Sequence, residues 1–491
     1  MTAAQNDPEN ALPPVTSGQL QQLAVGLREH SGFVDVLTSL QQGHGGTIGG
    51  TWGAASSLAV AAIASARAKE QEGLVVVVVP HAVDADIFAD DLALFTSLGV
   101  DVLPALESID DLSADNETLI NDPAEAKRLA NVKRLVAYSD ESPRILVTSM
   151  QAVLTPLPDP RQIEESTRHI TLGAQIDPQE LAEWLTFRGW KQVDTLDSPG
   201  SFARRGGIID LFASDWERPV RLELNDDEID SLRTFDTVSQ RSIQSLDSVD
   251  LTALQSVGKN NRRAWLTDIV PSGTWWSLIE PQELLDEGKR LANILPSEHV
   301  LQSEEFLARV YRFPSLILSA IATTSLEITA HLAVESVERF TGQLDRVCHE
   351  LDTVGKDQAV WIVTPTEAEE QRLSELLSPS IPAQAGRLHF IQGRLSAGFR
   401  LVPEKLVLIS AAELFRRQDS PRNRLPKHRL TRTIDTFLDL VEGDFVVHVA
   451  HGIARYKGLK LLQKHGRTEE FLELEFAEST RVYVPVSSIE L

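Results

Sequence analysis

The first part of the chain alternates apolar runs and polar spacers in a pattern typical of an α/β domain. Apolar residues at helical spacing predict an amphipathic helix over Leu20–Leu40, and a small-residue helix follows the glycine-rich turn GHGGTIGGTWG. The β-branched run Leu74–Val79 ends at a proline and predicts a strand buried on both faces. A helix over Asp84–Leu98 and a strand over Ile145–Thr148 continue the alternation. Residues 19–156 are therefore expected to fold around a parallel sheet.

After residue 156 the apolar runs become shorter. Between 157 and 247, a helix over Pro178–Gly189 precedes strand-like pieces in RRGGIIDLF and VRLELNDDEIDSLRTFD. The polar turn Asn225–Asp227 divides the second piece into two strands, as a β-hairpin requires. This pattern indicates an α+β domain.

The next stretch is less regular and leads into another α/β pattern. Residues 248–345 mix strands and helices, and we expect a companion domain there with Trp275 and Trp276 in its core. Residues 346–415 predict a small α/β domain. Its predicted elements are a strand over Ala359–Val363, a helix over Glu367–Leu377 and strands over Leu388–Ile391 and Leu406–Ile409.

The C-terminal pattern changes from a basic connector to clean alternation. Residues 416–436 are expected to form an exposed linker, either solvated or in contact with DNA or an acidic partner. Its cations are Arg416, Arg417, Arg422, Arg424, Lys427, Arg429 and Arg432. Residues 437–491 alternate apolar and polar positions, with Leu472 and Leu474 on the face that matches Val482 and Val484. A small antiparallel β-barrel with an edge available to a partner is predicted.

Composition narrows the possible functions. The chain has 491 residues and a formal net charge of −25, so most of its surface should repel nucleic-acid phosphates. Its only cysteine, Cys348, excludes an internal disulfide and any cysteine cluster for a metal. No apolar window is long enough for a membrane span, and the polar, proline-containing residues 1–18 resemble a loose tail rather than a signal peptide. A cytoplasmic protein is expected.

The glycine-rich turn is the strongest candidate for phosphate binding, but its pattern is incomplete. In the best register onto GxxxxGK[ST], which includes Gly50 and Gly53, Ala55 replaces the last glycine, Ser56 replaces the lysine and Ser57 supplies the hydroxyl. Without the lysine, a structural turn is favoured over nucleotide binding. No cofactor is expected.

Other enzyme signatures are also missing from the sequence. It contains no HExxH, no GxSxG and no paired cysteine–histidine spacing, so neither catalytic residues nor metal ligands are predicted. The acidic residues Asp226, Asp227 and Glu228 lie in a predicted turn, where solvation is favoured over cation binding.

Two arginines and one leucine are candidates for contacts with proteins. Arg205 precedes a Gly-Gly turn and Arg221 lies on the following strand, and arginines on a β-surface suit bidentate capture of a partner's carboxylates. Ordinary intramolecular salt bridges are the alternative. Leu462, near the end of IARYKGLKLL, suits either an apolar anchor at a sheet edge or a core position.

Three sequence blocks together resemble the N-terminal part of the bacterial transcription-repair coupling factor family. They are FARRGGIIDLF with RLELNDDEIDSLRTFDTVSQRS, then GRLSAGFRLVPEKLVLISAAELFRR, and finally GDFVVHVAHGIARYKGLKLL with EFLELEFAESTRVYVPVSSIEL. The resemblance implies a UvrB-like module made of a degenerate ATPase-type domain, a UvrA-binding domain and a companion domain. It also implies a family-specific third domain and a CarD-like, Tudor-type domain that binds the RNA polymerase β subunit.

The resemblance also implies binding residues. The UvrA contacts fall at Arg205, Arg221 and Asn225, where the family usually has phenylalanine in the last position. Loss of an aromatic anchor at an interface hot spot costs on the order of 2 kcal/mol or more, so weaker UvrA binding is expected. The polymerase contact falls at Leu462, with Arg455, Tyr456 and Lys460 on the same surface.

Family members continue into a helicase-type motor and a C-terminal domain that covers the UvrA-binding surface, and this sequence shows neither. We therefore expect a non-enzymatic adaptor that binds polymerase and UvrA, touches DNA weakly or only through the missing motor, and exposes Arg205 and Arg221 to solvent. The alternatives are a truncated ATP-dependent DNA translocase with its motor in a C-terminal continuation, and a transcription regulator that uses the polymerase-binding domain alone.

Overall fold

The computed structural model describes most of the chain up to residue 415 and several short segments beyond it. The described residues are 18–67, 73–106, 123–138, 144–196, 198–254, 263–294, 300–321, 328–337, 340, 346–415, 443, 445–448, 452–464, 467–475 and 481–485. The predicted tail, apart from Gly18, and the predicted basic linker at 416–436 lie outside these ranges. The chain divides into two compact units, Met1–Arg424 and Leu425–Leu491.

Helices and parallel strands alternate along the first part of the chain. They are α1 (Gly18–Leu27), α2 (Ser31–Gln41), β1 (Gly46–Gly49), α3 (Ala55–Arg67), β2 (Val75–Val79), α4 (Ala82–Phe95), β3 (Val100–Leu103), α5 (Pro123–Val136), β4 (Ile145–Ser149) and α6 (Met150–Leu154). All five residues of β2 are buried, which confirms the prediction of a strand covered on both faces. The single helix predicted over Leu20–Leu40 is two helices: α1 ends at Leu27, and after a short turn the extended backbone of His30 (ψ 134°) precedes α2.

The second group of elements builds a mainly antiparallel sheet. They are β5 (Leu157–Pro158), α7 (Pro160–Glu165), β6 (Thr167–Thr171), α8 (Pro178–Phe187), β7 (Lys191–Gln192), β8 (Ser201–Arg205), β9 (Ile208–Phe212), β10 (Val220–Asn225), β11 (Glu228–Phe235), β12 (Ser242–Ser245) and β13 (Ser248–Thr252). Six strands lie in the order β12-β11-β10-β9-β8-β7, in which the short β7–β8 pairing is parallel, and β13 pairs with β6. The apolar inner face of this sheet, which includes Phe202, Leu211 and Leu222, packs with Leu181 and Leu185 of α8. Strand β5 and helix α7 pack with the first sheet.

The predicted companion domain at 248–345 is not separate from its neighbours. Its first strand, β13, belongs to the second domain. The next elements are β14 (Arg263–Ala264), α9 (Leu266–Ile269), β15 (Trp275–Ile279), α10 (Pro281–Ile294), α11 (Ser303–Val310), β16 (Ser315–Ser319) and β17 (Thr329–His331). Strands β15, β16 and β17 join the first sheet, whose order is β17-β1-β16-β15-β2-β4-β3. Trp275 and Trp276 are buried there, as predicted.

The third group of elements builds a five-stranded mixed sheet in the order β18-β21-β22-β19-β20. The elements are β18 (Val334–Ser336), α12 (Val347–Val354), β19 (Ala359–Thr364), α13 (Glu367–Leu377), α14 (Ile381–Gln384), β20 (Leu388–Gln392), β21 (Phe399–Leu401), β22 (Leu406–Ser410) and α15 (Ala411–Leu414). The helix and the three strands predicted for this region are confirmed. The sheet nevertheless begins before residue 346, because β18 forms its edge.

The first and third sheets share one hydrophobic core. Phe95 of α4 lies 6.3 Å from Phe399 of β21 between ring centroids, and Leu395 and Trp361 belong to the same buried cluster as Leu58 of α3. A common core couples the two α/β sheets, so residues 346–415 do not pack as an independent domain.

The second unit contains a four-stranded antiparallel sheet in the order β23-β24-β25-β26. Its strands are β23 (Phe445–His448), β24 (Gly452–Lys464), β25 (Arg467–Glu475) and β26 (Arg481–Pro485). Leu472 pairs with Val484 and Leu474 with Val482, which confirms the expectation that these residues lie on matching faces. Among the described residues the pairings form an open sheet, and the closure of a barrel remains a prediction.

Within the described ranges, none of the helices is both long and apolar enough to cross a membrane.

Candidate protein-interaction surfaces

The outer face of the six-stranded sheet carries a patch of charged side chains. Strand register places Arg221 beside Asp210 of β9 on one side and Arg233 of β11 on the other. Arg205 of β8 lies beside Ile208 of β9, which in turn lies beside Glu223 of β10. Since successive side chains of a strand point to opposite faces, all of these residues lie opposite the apolar inner face. We call this set of residues the arginine face.

Arg205 occupies the open part of the arginine face. It is the last residue of β8, and its exposed guanidinium donates hydrogen bonds to the carbonyl oxygen of Asp194 and to the Thr195 hydroxyl, the latter at 3.0 Å. The following turn is tight: Gly206 has φ 61°, and a Cβ on Gly207 would lie 2.9 Å from the Leu224 carbonyl oxygen. The expectation that Arg205 is exposed to solvent is confirmed.

The expectation that Arg221 is open to solvent is wrong. Its Nε donates to Asp210 Oδ1 at 2.7 Å and its Nη2 donates to Asp210 Oδ2 at 2.8 Å, so the pair is bidentate. Nη2 also donates to Gln240 Oε1 at 3.0 Å, and the guanidinium carbon lies 4.4 Å from the centroid of the Phe235 ring. The side chain is only 19% exposed. The Asp210 carboxylate opposite it on the neighbouring strand raises the pKa of Arg221, so the arginine stays charged.

Asn225 lies exposed at the end of β10, opposite Glu228 of β11. Asp226, with φ 53°, takes the left-handed conformation of the turn, which confirms the predicted hairpin.

Among the described residues, no group of three or more His, Cys, Asp or Glu side chains could hold a metal ion.

Sequence reasoning missed the residues that surround Arg221. Asp210, Gln240 and Phe235 bind or cover its guanidinium, and Arg233 forms an ion pair with Glu223 next to it. The sequence contains a signal for Asp210. Apolar and polar residues alternate along β9 and β10, and this alternation places Asp210 and Arg221 on the same, polar face of the sheet. Gln240 follows the end of β11, in a turn whose position local sequence does not define.

The degenerate phosphate-binding loop lies between β1 and α3, where a P-loop would lie. Gly50 has φ 79° and Gly53 has φ 55°, conformations that favour glycine. Ser56, at the position of the missing lysine, is buried and donates a hydrogen bond to the Thr51 carbonyl oxygen at 3.0 Å. Ser57, at the hydroxyl position, is only 1% exposed.

Other parts of the chain cover this loop. The Ala54 amide donates to the Ala397 carbonyl oxygen at 3.2 Å, and the Thr51 amide donates to the Ser319 carbonyl oxygen at 3.2 Å. Ala397 lies in the loop between β20 and β21 of the five-stranded sheet, and this loop also lies against Gly53. Backbone carbonyls therefore occupy amides that a phosphate would need, which supports the interpretation of a structural turn.

The predicted polymerase-contact residues all lie on β24 of the second unit. Arg455 is exposed and pairs in register with Glu475, and exposed Lys460 forms an ion pair with Glu473 at 2.9 Å. Leu462 pairs in register with Glu469. Tyr456 is only 4% exposed, so it belongs to the interior of the described sheet and not to a contact surface.

Comparisons with known proteins identify both regions. Residues 169–256, which include the arginine face, match the model of the UvrB interaction domain. Residues 440–491, which include the four-stranded sheet, match the model of the CarD-like/TRCF RID domain.

Curated relatives match over more of the chain. A transcription-repair-coupling factor of Bacillus subtilis strain 168 is 25% identical over 94% of this chain and 46% of its own length. One of Staphylococcus aureus strain MRSA252 is 26% identical over 65% of this chain and 35% of its own length. The chain thus spans less than half the length of these relatives. The resemblance inferred from the sequence blocks is confirmed: the chain is similar along nearly its whole length to transcription-repair-coupling factors, consistent with an N-terminal part that contains UvrB interaction and CarD-like/TRCF RID domains.

Proposed function

We propose that this chain is an adaptor for transcription-coupled nucleotide excision repair, which holds RNA polymerase through residues 440–491 and recruits UvrA through the arginine face. The observation that carries the proposal is the presence of two interaction domains, the UvrB interaction domain and the CarD-like/TRCF RID domain, in one chain. Both proposed partners act in the cytoplasm, which would be the location of the chain.

The arginine face has the chemistry to bind an acidic protein surface. Arg205 is exposed, and its guanidinium is bound by neutral oxygen acceptors, so no carboxylate among the described residues balances its positive charge. Ile208, the neighbour of Arg205 in the sheet, is 38% exposed and adds an apolar contact. Asn225 at the far end of β10 supplies a polar contact where an aromatic anchor would add more affinity.

For polymerase, we propose a contact centred on β24 with Leu462 as the apolar anchor and with Arg455 and Lys460 as flanking cations, and we propose the β subunit as the polymerase partner. A strand with cations beside an apolar anchor suits a protein surface with matching acidic residues. We assign no catalytic step to the described residues, since the one loop with a nucleotide-binding pattern is covered by the chain's own carbonyls.

Binding of purified UvrA to the full chain tests the first contact. Arg205→Ala should weaken binding by roughly tenfold or more, as expected for an arginine at an interface hot spot. Arg204→Ala is the matched control: Arg204 is the preceding residue of β8, is also exposed, and donates to Gln179 Oε1 at 3.0 Å on α8. Equal affinities of the two variants would contradict the assignment of the arginine face.

Binding of the full chain to an isolated polymerase β-subunit fragment tests the second contact. Leu462→Arg should cost several kcal/mol, about a hundredfold or more in affinity, because a charge would enter the interface core. Gln463→Arg places the same charge one residue further along β24 and serves as the control. Full binding by the Leu462 variant would show that the anchor lies elsewhere.

A further inference from the structure

The two arginines of the arginine face differ in what already binds them. Arg205 meets a backbone carbonyl and a hydroxyl, both neutral. Arg221 meets a carboxylate, and its Nε and Nη2 make the two parallel bonds that a partner's carboxylate would make. Of the three guanidinium nitrogens of Arg221, Nη1 alone has no hydrogen-bond acceptor among the described residues.

The Asp210–Arg221 pair is also shielded from water. Asp210 is 13% exposed and Arg221 19%, and Phe235 covers a face of the guanidinium. Ion pairs in such places are screened less by salt than fully exposed pairs. A partner carboxylate that bound Nη1 would share the guanidinium with the Asp210 carboxylate. The two negative charges would then lie on one small group and repel each other.

We propose that Asp210 lowers the affinity of the arginine face for an acidic protein partner, because its carboxylate already occupies the position on Arg221 that a partner's carboxylate would take. An acidic partner must either displace Asp210 from the Nε edge of Arg221 or bind end-on at Nη1 against its charge. Arg205 then provides the initial attraction, and Arg221 contributes to binding only by one of these two routes, each opposed by Asp210. The inference rests on the proposed function of the arginine face and adds which residue tunes its affinity.

Affinity of the full chain for purified UvrA tests the proposal. Asp210→Asn keeps the shape and removes the charge, and it should tighten binding by roughly five- to tenfold, as expected when a competing charge near a close charge pair is removed. Asp230→Asn is the matched control, since it changes the net charge equally and exposed Asp230 lies three residues along β11 from Arg233, the residue that pairs with Arg221. In the background of Arg221→Ala, Asp210→Asn should give a smaller gain than in the original chain, because the guanidinium that Asp210 occupies is no longer there.

A second readout needs no partner. Modification of arginines by phenylglyoxal, followed by mass spectrometry, should be slow at Arg221 and fast at Arg205 in the original chain, and Asp210→Asn should accelerate it at Arg221 alone. Asp210→Ser replaces Asp210→Asn if the latter lowers the melting temperature.

Each outcome is decisive. Binding of UvrA by the original chain with no gain, or a loss, in Asp210→Asn would overturn the inference and make Asp210 a positioning residue, while the proposed function would stand. Absence of UvrA binding by the original chain would overturn both.

Discussion

Replacement of Asp91 by alanine tests how firmly the loop that covers the degenerate phosphate-binding turn is attached. Asp91 of α4 is 3% exposed, and its carboxylate accepts the Ser396 amide at 2.7 Å and the Ser396 hydroxyl at 2.5 Å. Each hydrogen bond to a charged group stabilises by about 1.5–3 kcal/mol, so the loss of both should cost about 3–6 kcal/mol. Ala397, the next residue, would lose its fixed position against the Ala54 amide.

Urea unfolding followed by tryptophan fluorescence measures this cost. Asp90→Ala is the control, because Asp90 is 26% exposed and lies 3.6 Å from Arg394, a pair that should contribute below about 1 kcal/mol. A double-mutant cycle with Ser396→Ala should give a coupling of about 1 kcal/mol or more. Equal costs for the two aspartates, or zero coupling to Ser396, would refute the view that Asp91 holds this loop.

Three further predictions concern single residues. Gly50→Ala should destabilise the chain by about 1–3 kcal/mol in thermal unfolding, because φ is 79° and a Cβ would meet the Leu332 carbonyl; an unchanged melting temperature would contradict this geometry. Burial lowers the pKa of His389 from its usual 6.5, so the stability that neutral His389 contributes is complete above pH 6.5 and is lost as the pH falls toward the lower pKa of the folded state. His389→Gln should therefore flatten the dependence of the free energy of unfolding on pH in this range, as measured by urea unfolding. An identical dependence in the variant would contradict this prediction. Burial and then the charge of Asp352 raise the pKa of the Cys348 thiol, so alkylation by iodoacetamide at pH 7.5 should be slower than for glutathione, and faster labelling would show an accessible thiolate.

Much of the local structure could be predicted from the sequence because its signals are local. The runs Leu74–Val79, Ala359–Val363 and Leu406–Ile409 have the length and β-branched composition of buried strands, and the structure contains them. The hairpin at Asn225–Asp227 was visible from its turn residues. In these places, side-chain period and turn chemistry agree.

The errors arise where distant segments meet. Strands β15, β16 and β17 join β1 and β2 in one sheet, and pairing across 200 or more residues leaves no local pattern. Residues 346–415 were assigned to a small α/β domain of their own, and the packing of Phe399 against Phe95, which joins its core to that of the first sheet, has no local signal either. The exposure of Arg221 was predicted wrongly. The prediction considered only a covering domain that the sequence does not show, whereas the ion pair with Asp210 on the neighbouring strand determines how much of Arg221 is exposed.

The central claim is that one chain connects polymerase to UvrA, and a three-component experiment tests it most directly. A polymerase β-subunit fragment is immobilised, the chain is added, and retention of UvrA is measured by surface plasmon resonance. The account predicts that UvrA is retained only when the chain is present, and that Arg205→Ala or Leu462→Arg each reduces this retention while Arg204→Ala and Gln463→Arg do not. UvrA that fails to be retained, although the chain itself binds the fragment, would contradict the bridging function.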